Sequence, residues 1–246
     1  MKTDIFEVCA GSVQDCINAE LGGADRVELN SALYLGGLTP SLAMLKLVKK
    51  KTSLKVICMN RPRAAGFYYD DVEIETMFKD AEILLENGAD GIAFGFLNPD
   101  ATINTTHTKK MVELIHRYRK EAVFHRAFDC VSDPYVAIQQ LIDCGVDRIL
   151  TSGLQPTALQ GCELLKKLQS EFGEQVEILA GSGINVDNIE ALRERTGIHQ
   201  FHGSCKTWEK DLTTTVGNIS YAYHEKDDYD CVSTENVCRV VQLLEK

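Results

Sequence analysis

The sequence predicts an α/β protein, a (β/α)8 barrel of the TIM type, from three observations. The chain has 246 residues, which is a usual length for such a barrel. Eight short apolar segments of strand character alternate with helix-like segments, a pattern typical of a parallel sheet. A helix end, a glycine and a new strand recur at Gly23, Gly88 and Gly145, each glycine followed two positions later by aspartate. The turn after the first strand lacks the glycine fingerprint of a dinucleotide-binding sheet, which favours the closed barrel over an open sheet.

The strands are predicted from short apolar segments, several of which end in polar residues. In order, they cover residues 4–9, 26–30, 54–59, 91–95, 123–129, 148–152, 176–180 and 199–203. The fifth strand has the most side chains suited to binding or catalysis, because its apolar start is followed by His125, Arg126 and Asp129. Successive side chains of a strand point to opposite faces, so His125 is predicted to face the barrel interior and Arg126 to face away from it.

The helices are predicted from start and stop signals between these strands. Ser12 suits an N-cap, Pro40 and Pro134 suit first turns, and Gly22 with Gly23 ends the first helix. The predicted helices cover residues 13–21, 40–51, 71–86, 106–120, 135–144, 158–172, 186–195 and 234–245. A polar stretch at 208–233 is predicted to be a long loop before the last helix, and residues 1–246 are predicted to form a single domain.

Composition and charge exclude several classes of function. A formal net charge of −10 argues against nucleic acid or an anionic membrane as a partner. No apolar run has the length of a membrane span, and the start of the chain leads directly into the first strand, without a signal peptide. The nine cysteines include no CxxC pair, so we expect reduced thiols in a cytoplasmic protein and no structural zinc site.

The barrel interior is predicted by placing the apolar strand residues outward, against the helices. This choice directs a set of polar and sulfur-containing side chains inward, most of them at the carboxyl ends of strands, where barrels of this kind place their sites. The set comprises Glu7, Cys9, Glu28, Asn30, Met59, Arg61, His125, Ser152 and His202. A purely structural alternative stays open, in which the charged members only neutralise one another.

Glycine-containing turns after the last strands indicate an anion site. Gly181 and Gly183 follow the seventh strand and Gly203 follows the eighth, where backbone N–H groups often hold phosphate in these barrels. Ser152 adds a hydroxyl after the sixth strand, and Asp129 lies beside it in the predicted mouth. Glycines at such turns also occur for steric reasons, so this interpretation and the structural one both stay open.

Several motifs together resemble those of the CutC copper homeostasis proteins. They are residues 7–9 (EVC), 22–29 (GGADRVEL), 37–41 (GLTPS), 61–63 (RPR), 124–129 (FHRAFD), 150–153 (LTSG) and 201–202 (FH). The resemblance implies a TIM-type barrel, a cytoplasmic location, a role in handling Cu(I) and assembly into a homo-oligomer. Two departures concern thiols, because many members have cysteine at the position of Asn30 and some at that of Gly203. A third replaces a glycine pair and an aspartate by residues 64–66 (AAG).

Copper homeostasis is the predicted function. Cu(I) is a soft ion that prefers thiolate and thioether ligands, and Cys9 and Met59 are predicted to face inward near the same rim. His125 or His202 could complete a site of low coordination number. In the alternative interpretation, Cys9 and Met59 only fill the core, as both residue types commonly do.

The alternative function is an enzyme that acts on a small anionic or phosphorylated metabolite by acid–base chemistry. Arg61 and Arg63 would hold the anion, with the guanidinium of Arg61 gripping it as a fork. The predicted proton-transferring residues are Glu7, Glu28, His125 and His202. The chain has no evident nucleophile motif, so acid–base chemistry is favoured over covalent catalysis.

Overall fold

Eight parallel strands close into a barrel in sequence order, with β8 paired to β1, and this confirms the predicted (β/α)8 fold. The computed structural model describes residues 4–224 and 227–245. Residues 1–3, 225–226 and 246 lie outside the described part. The predicted absence of a signal peptide concerns the first three of these, and residues 225–226 belong to the predicted loop. The barrel strands are β1 (Ile5–Ala10), β2 (Arg26–Leu29), β3 (Lys55–Met59), β4 (Gly91–Phe94), β5 (Glu121–Phe124), β6 (Arg148–Thr151), β7 (Glu177–Gly181) and β8 (Gln200–Gly203).

Eight α-helices accompany the strands in the described residues. They are α1 (Val13–Leu21), α2 (Leu42–Lys51), α3 (Asp71–Glu86), α4 (Thr105–Arg117), α5 (Pro134–Asp143), α6 (Cys162–Phe172), α7 (Ile189–Thr196) and α8 (Thr234–Leu244). Side-chain caps begin several of them as predicted, since Ser12 accepts a hydrogen bond from the Asp15 N–H and Asp133 precedes Pro134 at the start of α5. None of the described helices is both long and apolar enough to cross a bilayer.

Two apolar cores hold the barrel. The larger core lies between strands and helices and contains the outward residues of the strands, such as Val27 and Leu29, which are fully buried. A small inner core of Ile57, Met59, Ala93 and Val123 fills the barrel itself. Above this inner core the interior is polar, so the functional groups collect at the carboxyl ends of the strands.

The fifth strand ends at Phe124, which corrects the predicted strand 123–129. A 3-10 helix covers Arg126–Cys130 instead. The cause is local, because Nδ1 of His125 accepts a hydrogen bond from the Ala127 N–H at 3.1 Å and turns the chain at once. The strand alternation therefore stops at His125, and the prediction that Arg126 faces away from the interior is wrong: Arg126 contributes to the pocket described below.

The stretch 208–233 also differs from the predicted loop. It contains most of β9 (Lys206–Lys210), which pairs antiparallel with β12 (Asp228–Val232), and a small hairpin of β10 (Thr215–Val216) and β11 (Ile219–Ser220). We call the described residues 206–224 and 227–232 the arm. Asp15 and Asn18 of α1 fix the end of the arm, since both hydrogen-bond the backbone of Val232, at 2.8 and 2.9 Å.

Candidate functional site in the barrel mouth

A pocket of about 520 Å³ opens at the carboxyl ends of the barrel strands. Its walls come from strand ends, from the loops after β2, β3, β7 and β8, and from the arm. The predicted site residues that line it are Cys9, Glu28, Met59, Arg61, His125, Gly183, His202 and Gly203. The volume is that of a small-molecule site, well above the size of a single ion.

Three potential metal ligands meet in this pocket. Cys9, Glu28 and His202 each offer one ligand atom, and these atoms lie within 4.8 Å of one another. Strand pairing brings them together, because Cys9 of β1 is the register partner of Glu28 in β2, while β1 pairs on its other side with β8. The Sγ of Cys9 lies 3.8 Å from Oε2 of Glu28.

Glu7 lies next to this cluster and orients His202. Its Oε1 is 2.7 Å from Nδ1 of His202, and its other oxygen accepts a hydrogen bond from Nε of Arg26. Burial works to raise the pKa of Glu7, but Arg26 and His202 outweigh it and hold that pKa well below the usual range. An ionised Glu7 can only accept, so Nδ1 of His202 donates and its Nε2 is the ring atom toward Cys9 and Glu28.

The charges of the cluster are coupled. Burial works to lower the pKa of His202, but its hydrogen bonds with Cys9 and Glu7 and the charge of Glu28 raise that pKa well above its usual value. Burial raises the pKa of Glu28 and that of Cys9. Asn30 adds a donor, since its Nδ2 lies 2.9 Å from Oε2 of Glu28 and 3.6 Å from Sγ of Cys9. The cluster thus combines a thiol, a carboxyl group and an oriented imidazole in low-dielectric surroundings.

Arg61 is arranged differently from the predicted anion-gripping fork. Its Nη1 donates to the carbonyls of Leu35 and Gly37 at 3.2 and 3.1 Å, and its Nη2 donates to the carbonyl of Ala65 at 2.5 Å. Both terminal nitrogens therefore hold the loops after β2 and β3, and only Nε lacks a partner within the described chain. Loop carbonyls therefore use N–H groups on both terminal nitrogens, and an anion would have to approach Arg61 from the side of Nε.

His125 lies on the same side of the mouth as Arg61. Its Nδ1 accepts from the Ala127 N–H, and its Nε2 has no hydrogen-bond partner among the described residues. Burial, with a contribution from the positive charge of Arg61, lowers the pKa of His125 to about 3. The imidazole is therefore neutral near pH 7, and its proton is on Nε2.

Five of the predicted site residues are absent from the described pocket lining. Arg63 pairs with Glu73 at the surface, and its side chain is 41% exposed. Asp129 and Ser152 bond each other and close the turn after β6, where the Asp129 carboxylate accepts from the Ser152 N–H at 2.9 Å. The remaining two are Glu7, which lies behind His202, and Gly181, which is buried in β7.

Sequence reasoning missed the part of the pocket that the arm supplies. Trp208 stacks on His224 with 3.5 Å between ring centroids, and Tyr223 stacks on Tyr34 of the loop after β2 at 5.0 Å. All four residues line the pocket, as do Lys206 and Asp230. One signal in the sequence could have indicated this, because the sole tryptophan of the chain lies in an otherwise polar stretch with several tyrosines.

Comparison with known proteins agrees with this architecture. The model of the CutC family matches residues 4–207. The CutC family protein of Treponema denticola is 42% identical over 248 residues, which cover 99% of this chain and 100% of that protein. The copper homeostasis protein cutC homolog of Homo sapiens is 39% identical, over 82% of this chain and 74% of its own length. A solved CutC structure from Streptococcus agalactiae has a TM-score of 0.76 at 29% identity, and covers 82% of this chain and 98% of that one. The chain therefore belongs to the CutC family of copper homeostasis proteins.

Proposed function

We propose that this protein serves copper homeostasis by binding Cu(I) in the barrel mouth, between Sγ of Cys9 and Nε2 of His202. The observation that carries the proposal is the cluster of Cys9, Glu28 and His202, whose ligand atoms lie within 4.8 Å of one another. Cu(I) is soft, and a thiolate with an imidazole suits it at low coordination number. Met59 lines the same pocket and offers a thioether as a further soft ligand.

The neighbouring side chains support this assignment. A carboxylate that accepts from the other ring nitrogen is the usual support of a metal-binding histidine, and Glu7 has that position at 2.7 Å from Nδ1 of His202. Metal binding requires that Cys9 and Nε2 of His202 both lose their protons, which are released to solvent. Glu28 lies 3.8 Å from Sγ of Cys9, and as a hard oxygen donor it contributes little to Cu(I) itself.

The wider setting of this function follows from the family and the composition. We propose a cytoplasmic protein of one domain that forms a homo-oligomer and binds neither nucleic acid nor membranes. All nine cysteines are free thiols, as a reducing compartment would keep them. The net charge of −10 disfavours polyanionic partners.

Replacing Cys9 tests the copper site. We expect Cys9→Ser to weaken Cu(I) binding by about tenfold or more, or about 1.4 kcal/mol, because a hydroxyl is a poor ligand for a soft ion. Competition with a Cu(I) chelator under reducing conditions measures the affinity. The matched control is Cys144→Ser, since Cys144 lies at the end of α5, outside the pocket lining, and is expected to leave the affinity unchanged. Equal losses in both variants would contradict the assignment.

One observation favours a second function, that of an enzyme acting on a small anionic or phosphorylated metabolite. The pocket of about 520 Å³ far exceeds an ion, and Gly183 and Gly203 line it at the turns where such barrels bind phosphate. Glu28, with its pKa raised by burial, would donate a proton there. Phosphate esters would then raise the melting temperature of the metal-free protein by several degrees, and a screen without any such shift would remove this candidate.

A further inference from the structure

We propose that the mouth pocket contains a second binding region, formed at the ends of β3 and β5, which holds the carboxylate of a small organic acid. Nε of Arg61 and Nε2 of His125 are the two N–H donors to that carboxylate. This region uses other strands than the cluster of Cys9, Glu28 and His202 on β1, β2 and β8, although β3 is the barrel neighbour of β2. The inference goes beyond copper binding and does not depend on it.

His125 provides the first donor. Its Nδ1 already accepts from the Ala127 N–H, which leaves the proton on Nε2. The residue is 2% exposed and lines the pocket, and none of the described residues accepts a hydrogen bond from Nε2. A buried N–H without an acceptor is unfavourable, so an acceptor on a ligand would be stabilising here. With Nδ1 engaged by the backbone, the arrangement suits binding better than proton transfer.

Arg61 provides the second donor and the charge. Arg61 is 6% exposed and lines the pocket, yet it forms no ion pair with any carboxylate of the described chain. Its Nη atoms are held by loop carbonyls, and its Nε is unpartnered. Buried charges in proteins are normally paired with an opposite charge, so we expect a bound anion to supply the counter-charge of Arg61.

Phe67 joins the two donors into one region. Its ring centroid lies 5.1 Å from Cζ of Arg61 and 5.0 Å from the ring centroid of His125. An aromatic ring against both groups limits their access to water and strengthens a charge-assisted hydrogen bond beside it. The two donors and the ring together make a small, dry anion site.

Charge and shape select the class of ligand. The region supplies one positive charge, from Arg61, because His125 is neutral, and one charge matches a monoanion better than a phosphate dianion. A carboxylate also has two oxygens for two N–H donors. Much of the remaining wall is apolar, with Leu33, Met59, Leu150, Ile184 and Trp208 in the lining. The ligand is therefore a monocarboxylate with an apolar body.

The test uses the metal-free protein with 3-phenylpropanoate as the probe, and compares it with the neutral 3-phenylpropanamide and with inorganic phosphate. We expect the carboxylate to bind at least about tenfold more tightly than the amide by calorimetry, because only the carboxylate pairs with Arg61. The ring ¹⁵N signal of Nε2 of His125 in the wild type should shift on binding. His125→Phe should weaken binding by about tenfold, while His107→Phe, which alters a histidine outside the pocket lining, should not.

Three binding results would each overturn the proposal: equal binding of carboxylate and amide, binding of phosphate in place of the carboxylate, or no binding of the carboxylate at millimolar concentration. An unmoved signal from His125 would do the same, and this measurement on the wild type decides the matter even if His125→Phe fails to fold. Cys144→Ser, at a cysteine outside the pocket lining, should bind the carboxylate as the wild type does.

Discussion

Glu7→Ala is expected to lower the free energy of unfolding by about 3 to 5 kcal/mol, because it leaves a buried charge without its partner. Glu7 is 1% exposed and bonds both Arg26 and His202. Arg26 is itself buried, and its remaining side-chain acceptor, Oε1 of Gln200 at 2.7 Å, is neutral. Without Glu7 the guanidinium keeps its charge inside the barrel with no carboxylate in contact.

Chemical denaturation at neutral pH measures this effect, with Glu82→Ala as the control. Glu82 also forms an ion pair, with Lys79 at 3.1 Å, but on the exposed face of α3. Its removal should change the free energy of unfolding by no more than about 0.5 kcal/mol. Similar small changes in both variants would mean that Glu7 is not the buried counter-ion described here.

Lowering the pH from 7 to 4 is expected to cost about 3 kcal/mol of stability through His125 alone. The unfolded chain takes up a proton at this residue below a pH of about 6.5. The folded chain does not, because burial and Arg61 lower the pKa of His125 to about 3. The unfolded state therefore binds more protons over this range, and stability falls as the pH falls from about 6.5 toward 3.

His125→Asn isolates this contribution. Asparagine can still accept a hydrogen bond from the Ala127 N–H but does not titrate, so the local turn is kept. The loss of unfolding free energy between pH 7 and pH 4 should be smaller in the variant than in the wild type by about 3 kcal/mol. Parallel pH dependences in the two proteins would show that His125 is not held neutral.

The barrel and most of its inward residues could be predicted from the sequence, because apolar alternation directly reflects packing against helices. Val27 and Leu29 had to face the outer core, and Glu28 then had to face inward. The end of β5 could not be predicted in this way. A single hydrogen bond from the Ala127 N–H to the side chain of His125 decides it, and a local bond of that kind leaves no periodic trace in the sequence.

The arm and the arrangement of Arg61 could not be predicted for a different reason. β9 is largely exposed, and β12 buries only its two end residues, so no apolar face marks either strand, and the sequence predicts a loop at Trp208. The fork of Arg61 is occupied by carbonyls of Leu35, Gly37 and Ala65, whose positions depend on how two loops fold together. Residue type alone indicated the charge of Arg61 but not which of its N–H groups stays free.

The most direct test of the copper site is an X-ray absorption spectrum of the protein loaded with one equivalent of Cu(I). Binding between Cys9 and His202 predicts a first shell with both sulfur and imidazole nitrogen, and predicts that the sulfur contribution falls in Cys9→Ser. A shell made of sulfur alone, or a spectrum that Cys9→Ser leaves unchanged, would contradict a copper site in the barrel mouth.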